Sequence, residues 1–125
     1  MKLNEYFEKK KGYGVLATAD LKGKVDVAAY SKPFFEGEDT AGFAMYDRLT
    51  HANLQGNPSA AYLFVERDKD NEGKRLYLKK SREESDGKKI DEFFKKFKIQ
   101  EKYRSATKFI VYFKVEKVLP LVEIK

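Results

Sequence analysis

A chain of 125 residues, 42% hydrophobic and 37% charged, has the length of one domain, residues 1–125, with a single hydrophobic core. It has no cysteine and one histidine, His51, which excludes disulfides, thiol catalysis, thiolate zinc and iron–sulfur sites and any histidine cluster, so no metal site is expected. The formal charge of +6 comes from lysines scattered among acids, as in KSREESDGKKIDEFFKKFK, which argues for a solvated surface, against nucleic acid as a partner, and for an anionic small ligand. No apolar run reaches signal-peptide length or the roughly 20 residues of a membrane helix, so no membrane partner is expected and the cytoplasm is the expected address.

In chain order, residues 2–10 set Leu3, Tyr6 and Phe7 at the i, i+3, i+4 spacing of an amphipathic helix, with Gly12 beyond its end. GVLATADLKGKVDVAAYS is two apolar runs around Asp20-Leu21-Lys22-Gly23, a β-hairpin. In its second strand Val25, Val27 and Ala29 alternate with Asp26, Ala28 and Tyr30, so one face is buried more than the other. Pro33 interrupts, Phe34 and Phe35 load a loop, and EGEDTAG turns into the strand GFAMY, which sets Phe43 and Met45 against Ala44 and Tyr46.

At Asp47 the pattern changes. Asp47 is predicted as the N-cap of a helix from Arg48 to Gln55, stopped by Gly56 and Asn57-Pro58. A strand that delivers a helix start, with its unpaired N–H groups beside Arg48, Thr50 and His51, suits a phosphate. An ordinary connecting helix with a solvated Arg48 satisfies the same pattern.

SAAYLFVE is predicted as a strand buried on both faces near its middle, RDKDNEG as a polar hairpin loop, and KRLYLKKS as a strand. Asp86 caps a helix through Phe97 with Ile90, Phe93, Phe94 and Phe97 on one face. The last strand lies in TKFIVYFKVEKVLPLVEI, with Pro120 at its frayed or edge-like end. The sum is mainly β with flanking helices (α+β): about six strands in a closed or partly closed antiparallel barrel, with small residues such as Ala17, Ala28, Ala44 and Ala60 inward.

With these elements placed, GVLATADLKGKVDVAAYSKP, MYDRLTHANLQGNPSAAYLF and FIVYFKVEKVLPL together resemble the pyridoxamine 5'-phosphate oxidase-like family, whose fold is an FMN-binding split β-barrel. The resemblance spans nearly the whole chain and rests on the order and spacing of motifs that are individually degenerate. It implies FMN as cofactor, with Arg48 and Thr50 as phosphate ligands, Asn53 as the family's helix asparagine, and Ala29, Tyr30 and Ser31 along the flavin ring. Tyr46 falls at the barrel mouth. Leu49 stands where many members carry Lys or Arg, and His51 is the residue that replaces that charge. Other members of the superfamily bind deazaflavin or heme, and His51 keeps heme open. The resemblance also implies a homodimer with the cofactor at its interface, which the apolar load of Phe34, Phe35 and residues 109–113 supports on physical grounds.

An FMN-dependent oxidoreductase and a non-catalytic flavin-binding module fit these residues equally, since the flavin would carry the chemistry and no catalytic base is visible. The substrate, the electron donor and any catalytic side chain stay unassigned. A hydrolase built on Ser31, His51 and Asp47 fails for want of a nucleophile elbow. Full-length pyridoxamine phosphate oxidases hold their substrate with basic and histidine side chains late in a longer chain; this chain stops at LPLVEIK with no histidine after His51, so flavin binding without pyridoxamine 5'-phosphate oxidation is expected.

Overall fold

The computed structural model describes residues 1–123. The elements run α1 (Leu3–Lys9), β1 (Gly12–Ala19), β2 (Val25–Tyr30), β3 (Phe34–Glu36), β4 (Thr40–Met45), α2 (Leu49–Gly56), β5 (Ser59–Glu66), β6 (Gly73–Glu84), α3 (Gly87–Lys96), a 3₁₀ turn (Glu101–Tyr103) and β7 (Phe109–Pro120). All strand pairs are antiparallel, in the order β2-β1-β5-β6-β7-β4-β3. Among the described residues the sheet therefore has seven strands rather than six, and it is not closed: β2 and β3 are its two free ends. The added strand is Phe34–Glu36, expected as a loop. It pairs Phe34 with Gly42 and Phe35 with Ala41, and three residues are too few to display alternation.

Local chemistry explains the elements that position the rest. In the β1–β2 hairpin the Asp20 carboxylate accepts from the backbone N–H groups of Lys22 and Lys24, each at 2.9 Å, and Gly23 takes φ +84°. Asp86 caps α3 as expected, its carboxylate accepting from Lys88 N–H at 2.9 Å. β6 runs 12 residues, past the predicted KRLYLKKS, because its register shifts between Tyr77 and Leu78 and again between Lys80 and Arg82, breaking the period of two.

Two apolar layers use opposite faces of one strand. Val111 and Phe113 of β7 point into the main core with Leu16, Phe43, Tyr62, Phe64, Leu76 and Leu78; Ile110 and Tyr112 point the other way, onto Ile90, Phe93 and Phe94 of α3. So β7 is the strand buried on both faces. β5, expected in that role, buries Ala60, Tyr62 and Phe64 fully, while Ala61, Leu63 and Val65 are only half-buried. The inward small residues also need correction. Ala60 is in the core, but Ala44 packs on the outer, α3 side, and Ala17 alternates out of phase with the inward Leu16. Of the apolar load expected to need a partner, residues 110–113 are buried within the single chain, Val111 and Phe113 in the main core and Ile110 and Tyr112 under α3, while Phe34, Phe35 and Phe109 are half-buried. The exposed apolar surface lies elsewhere, on β2, where Val25 is 77% and Val27 66% exposed. β7 ends at Pro120, where the expected end lies.

α1 closes the main core from one side. Phe7, 1% exposed, stacks on Phe35 at 5.7 Å and meets Phe64 edge-on at 5.1 Å, while Tyr6 donates to the Glu66 carboxylate at 2.5 Å. Truncating a fully buried phenylalanine costs about 3–5 kcal/mol against a typical domain stability of roughly 5–15. Phe7→Ala should lower the urea midpoint accordingly; a loss below about 1 kcal/mol would show that α1 is peripheral to the fold.

Candidate functional site

The chain leaves β4 at Met45, whose carbonyl accepts from Lys108 N–H at 3.0 Å, and reaches α2 through Tyr46, Asp47 and Arg48. The N-cap of α2 is Arg48, in extended conformation, and not Asp47 as expected; no side chain caps the helix start. The reason is one residue of extended backbone more than the pattern shows, which moves the Asp47 carboxylate out of reach of the first helical N–H groups. Those groups thus stay free for a ligand, at the positive end of the helix dipole. The Arg48 guanidinium bonds only back to the Asp47 carbonyl, at 3.1 Å, and has no carboxylate partner among the described residues.

A cavity of about 520 Å³ opens at this end, within the size range of small-molecule sites. Arg48 and Thr50 line one part of it; Ala28, Ala29, Tyr30 and Ser31 from β2 form a wall, with Ala44 and Tyr46 from the β4 end beside them. It sits where the sheet fails to close, between the free strand β2 and the β4 side of the molecule. Tyr30 is held there two ways: its ring meets Phe43 edge-on at 5.9 Å, and its carbonyl accepts from the Tyr62 hydroxyl at 3.2 Å. Burial raises the Tyr30 phenol above its ordinary pKa despite the opposing bond with Thr50, so it stays a neutral donor or acceptor.

The remaining walls come from Phe34 on β3 and from Ile99, Tyr103 and Thr107 on the connection between α3 and β7. That connection is fixed by its own bonds. Thr107 donates to the Tyr103 carbonyl at 2.8 Å, and Arg104 donates to the Thr107 carbonyl at 3.1 Å and to the Asp91 carboxylate at 2.5 Å. Sequence patterning misses these residues: an irregular segment has no period, and its place over the cavity is set by α3 packing on β7.

Of the residues singled out from the sequence, Ala29, Tyr30, Ser31, Tyr46, Arg48 and Thr50 therefore come together, whereas Leu49, His51 and Asn53 lie outside the cavity lining. Leu49 is 58% exposed. Asn53 is buried and donates to Thr18 Oγ1 at 3.1 Å, tying α2 to β1. His51 is also buried: its ring stacks on Phe109 at 3.6 Å, and its Nε2 lies 3.0 Å from both the Glu83 carboxylate and the Gln55 amide. Among the described residues no carboxylate or imidazole lines the cavity, so these side chains can bind and orient a ligand but offer no strong acid–base pair.

Compared by sequence, the chain matches no family model and no curated protein. Compared by structure, it matches an FMN-binding protein from Syntrophomonas wolfei subsp. wolfei with TM-score 0.80 and 25% identity, over 99% of this chain and 86% of that one. An F420 reductase matches with TM-score 0.74 and 18% identity, over 95% and 98% of the two chains. HutZ, the heme storage protein from Vibrio cholerae, matches with TM-score 0.65 and 20% identity, over 96% and 95%. Other matches carry the name of pyridoxamine 5'-phosphate oxidase. The chain has the pyridoxamine 5'-phosphate oxidase-like split-barrel fold. In this split barrel the split is the seam between β2 and β3, and the cavity lies beside it.

The His51 cluster fastens the start of α2 to β6. Burial alone would raise the Glu83 carboxyl, but bonds from Lys80 at 2.6 Å, Gln55 at 3.1 Å and His51 at 3.0 Å outweigh it and hold the pKa down to about 2, from an ordinary 4.5. Since the folded value is depressed, the stability contributed by ionised Glu83 is fully present above pH 4.5 and is lost as pH falls towards 2. Glu83→Gln should cost about 1–3 kcal/mol at neutral pH, and its stability gap to the parent should close across that window. A gap that stays constant down to the acid limit, followed by urea titrations at stepped pH, would remove the charge of Glu83 from this role.

Proposed function

We propose that the cavity binds FMN, with the phosphate at the start of α2 and the flavin ring along β2. The observation that carries this reading is the convergence of a free guanidinium, Arg48, and an uncapped helix start on one part of a cavity whose other walls are largely apolar. Arg48 supplies a charge-assisted hydrogen bond to phosphate, Thr50 a neutral donor, and the first N–H groups of α2 the rest. Ala28 and Ala29 let a planar ring lie close to the strand; Tyr30, Tyr46 and Tyr103 offer aromatic faces and hydroxyls around it. The FMN-binding protein from Syntrophomonas wolfei supports the choice of cofactor.

When bound, FMN exchanges a hydride or electrons at its ring, and the residues named here bind it, orient it and exclude water. We therefore read the protein as a flavoprotein, and as an oxidoreductase where a reductant reaches the ring. A deazaflavin is the second reading, supported by the F420 reductase. Heme is disfavoured, because Glu83, Gln55 and Phe109 already engage the ring of the single histidine. Among the described residues no helix is long and apolar enough to cross a membrane, and we propose the cytoplasm as the address of this cysteine-free chain.

We also propose a homodimer that covers the cavity. Val25 and Val27 share an outward face of the free strand β2 with Ala29, and Leu21 and Leu49 are exposed as well, at 81% and 58%. Apolar residues on an unpaired edge strand call for a partner, and a two-fold pair would bury them on both copies. Sedimentation at micromolar concentration should give a dimer mass that Val27→Lys shifts towards the monomer. A monomeric parent with cofactor bound would end the proposal.

Arg48→Ala removes a charge-assisted bond worth about 1.5–3 kcal/mol, so FMN affinity should fall roughly ten- to a hundredfold, with Thr50→Ala costing less. Flavin-fluorescence titrations check this, and equal affinities for parent and Arg48→Ala would take the phosphate away from α2.

A further inference from the structure

A second cavity, of about 480 Å³, lies between α1, the β2–β3 connection and the C-terminal end of α3. Phe7, Pro33, Phe35 and Phe97 form the apolar part of its wall, and Phe34 lines both this cavity and the one described above. Three lysines line it, Lys32, Lys96 and Lys98, against one acid, Glu8. Asn4 is also part of the lining, and its buried Oδ1 has no hydrogen-bond partner among the described residues.

Lys98 is the lysine of this lining with the unusual backbone. α3 ends in a reciprocal pair of backbone bonds, Ile99 N–H to the Phe94 carbonyl at 3.0 Å and Lys98 N–H to the Lys95 carbonyl at 3.3 Å. That closure requires a left-handed residue just past the helix, a position that glycine fills without penalty. Here it is a lysine, at φ +54°. Lys98 thus places a long charged side chain at a position where the backbone favours none, and that side chain lines the cavity. Lys32 adds a fixed charge. Its ammonium donates to the Lys10 carbonyl at 2.8 Å, which leaves two N–H donors. Burial, and then the nearby charge of Lys11, lower its pKa, against the opposing charge of Glu8.

We propose that this lysine-rimmed cavity binds a small carboxylate with an apolar, ring-sized body, the carboxylate meeting Lys98, Lys96 and Lys32 and the body lying among Phe7, Phe34, Phe35 and Phe97. The site is separate from the proposed FMN site and does not depend on it. Naphthoate is a suitable probe, titrated calorimetrically into the parent protein with and without saturating FMN. One equivalent should bind in both cases, and the neutral naphthamide should bind about tenfold more weakly. Lys98→Gly should bind naphthoate about tenfold more weakly while unfolding at the same temperature as the parent or higher, because glycine relieves the left-handed backbone. Lys96→Ala should also weaken binding, by a smaller factor. No binding at millimolar naphthoate, equal affinity in Lys98→Gly, displacement of naphthoate by FMN, or a Lys98→Gly protein that melts lower than the parent would each overturn the proposal.

Discussion

The antiparallel pairing of β4 with β7 is the interaction on which the rest of the structure depends. It sets Ala44 opposite Ile110 and Met45 opposite Phe109, and β7 then sends Val111 and Phe113 into the barrel and Ile110 and Tyr112 out to α3. A slip of one residue would exchange these faces and break both apolar layers together, so the register is strongly specified. The same pairing places the start of α2, because His51 stacks on Phe109, the first residue of β7 and the register partner of Met45. The proposed phosphate site is therefore positioned by core packing and by a buried histidine that does not itself line the cavity.

The second constraint is that the sheet does not close. Full closure would remove both free edges but would also fill the space where the cavity lies. The two edges are treated differently. β3 has only three residues and is followed by Glu38 and Asp39, which discourages further pairing. β2 is longer and shows valines outward, a surface suited to burial by a second copy. The charge of Arg48 belongs to the same seam: it is left without a carboxylate partner among the described residues, at one part of a largely apolar cavity, as the proposed phosphate site requires.

How much of this the sequence reveals depends on how local each cause is. Asp86 capping α3, the Tyr6 and Phe7 face of α1 and the Asp20–Gly23 turn are decided by residues within one helical turn or one hairpin, and all are legible. The two-faced burial of β7 is not, because the outward face of Ile110 and Tyr112 is covered only once α3 has packed. β5, an equally apolar run, reads as the more buried of the two for lack of that information. β3 is too short to signal itself. At the site, the start of α2 is legible from helix patterning, although the cap is displaced from Asp47 to Arg48, whereas the β2 segment is placed there by the family resemblance alone. The engagement of His51 by Glu83 and Phe109 brings together residues 32 and 58 positions apart, and no local pattern reports it. Ile99, Tyr103 and Thr107 reach the cavity by the same long-range route.

The start of α2 is proposed to hold a phosphate at one part of a flavin-sized cavity. A paired equilibrium titration with FMN and riboflavin, which differ by that phosphate, tests it most directly. FMN should bind at least tenfold more tightly, with the difference shrinking as salt is added, since the exposed Arg48 is open to screening. Equal affinities for the two flavins, or binding of neither, would contradict the account.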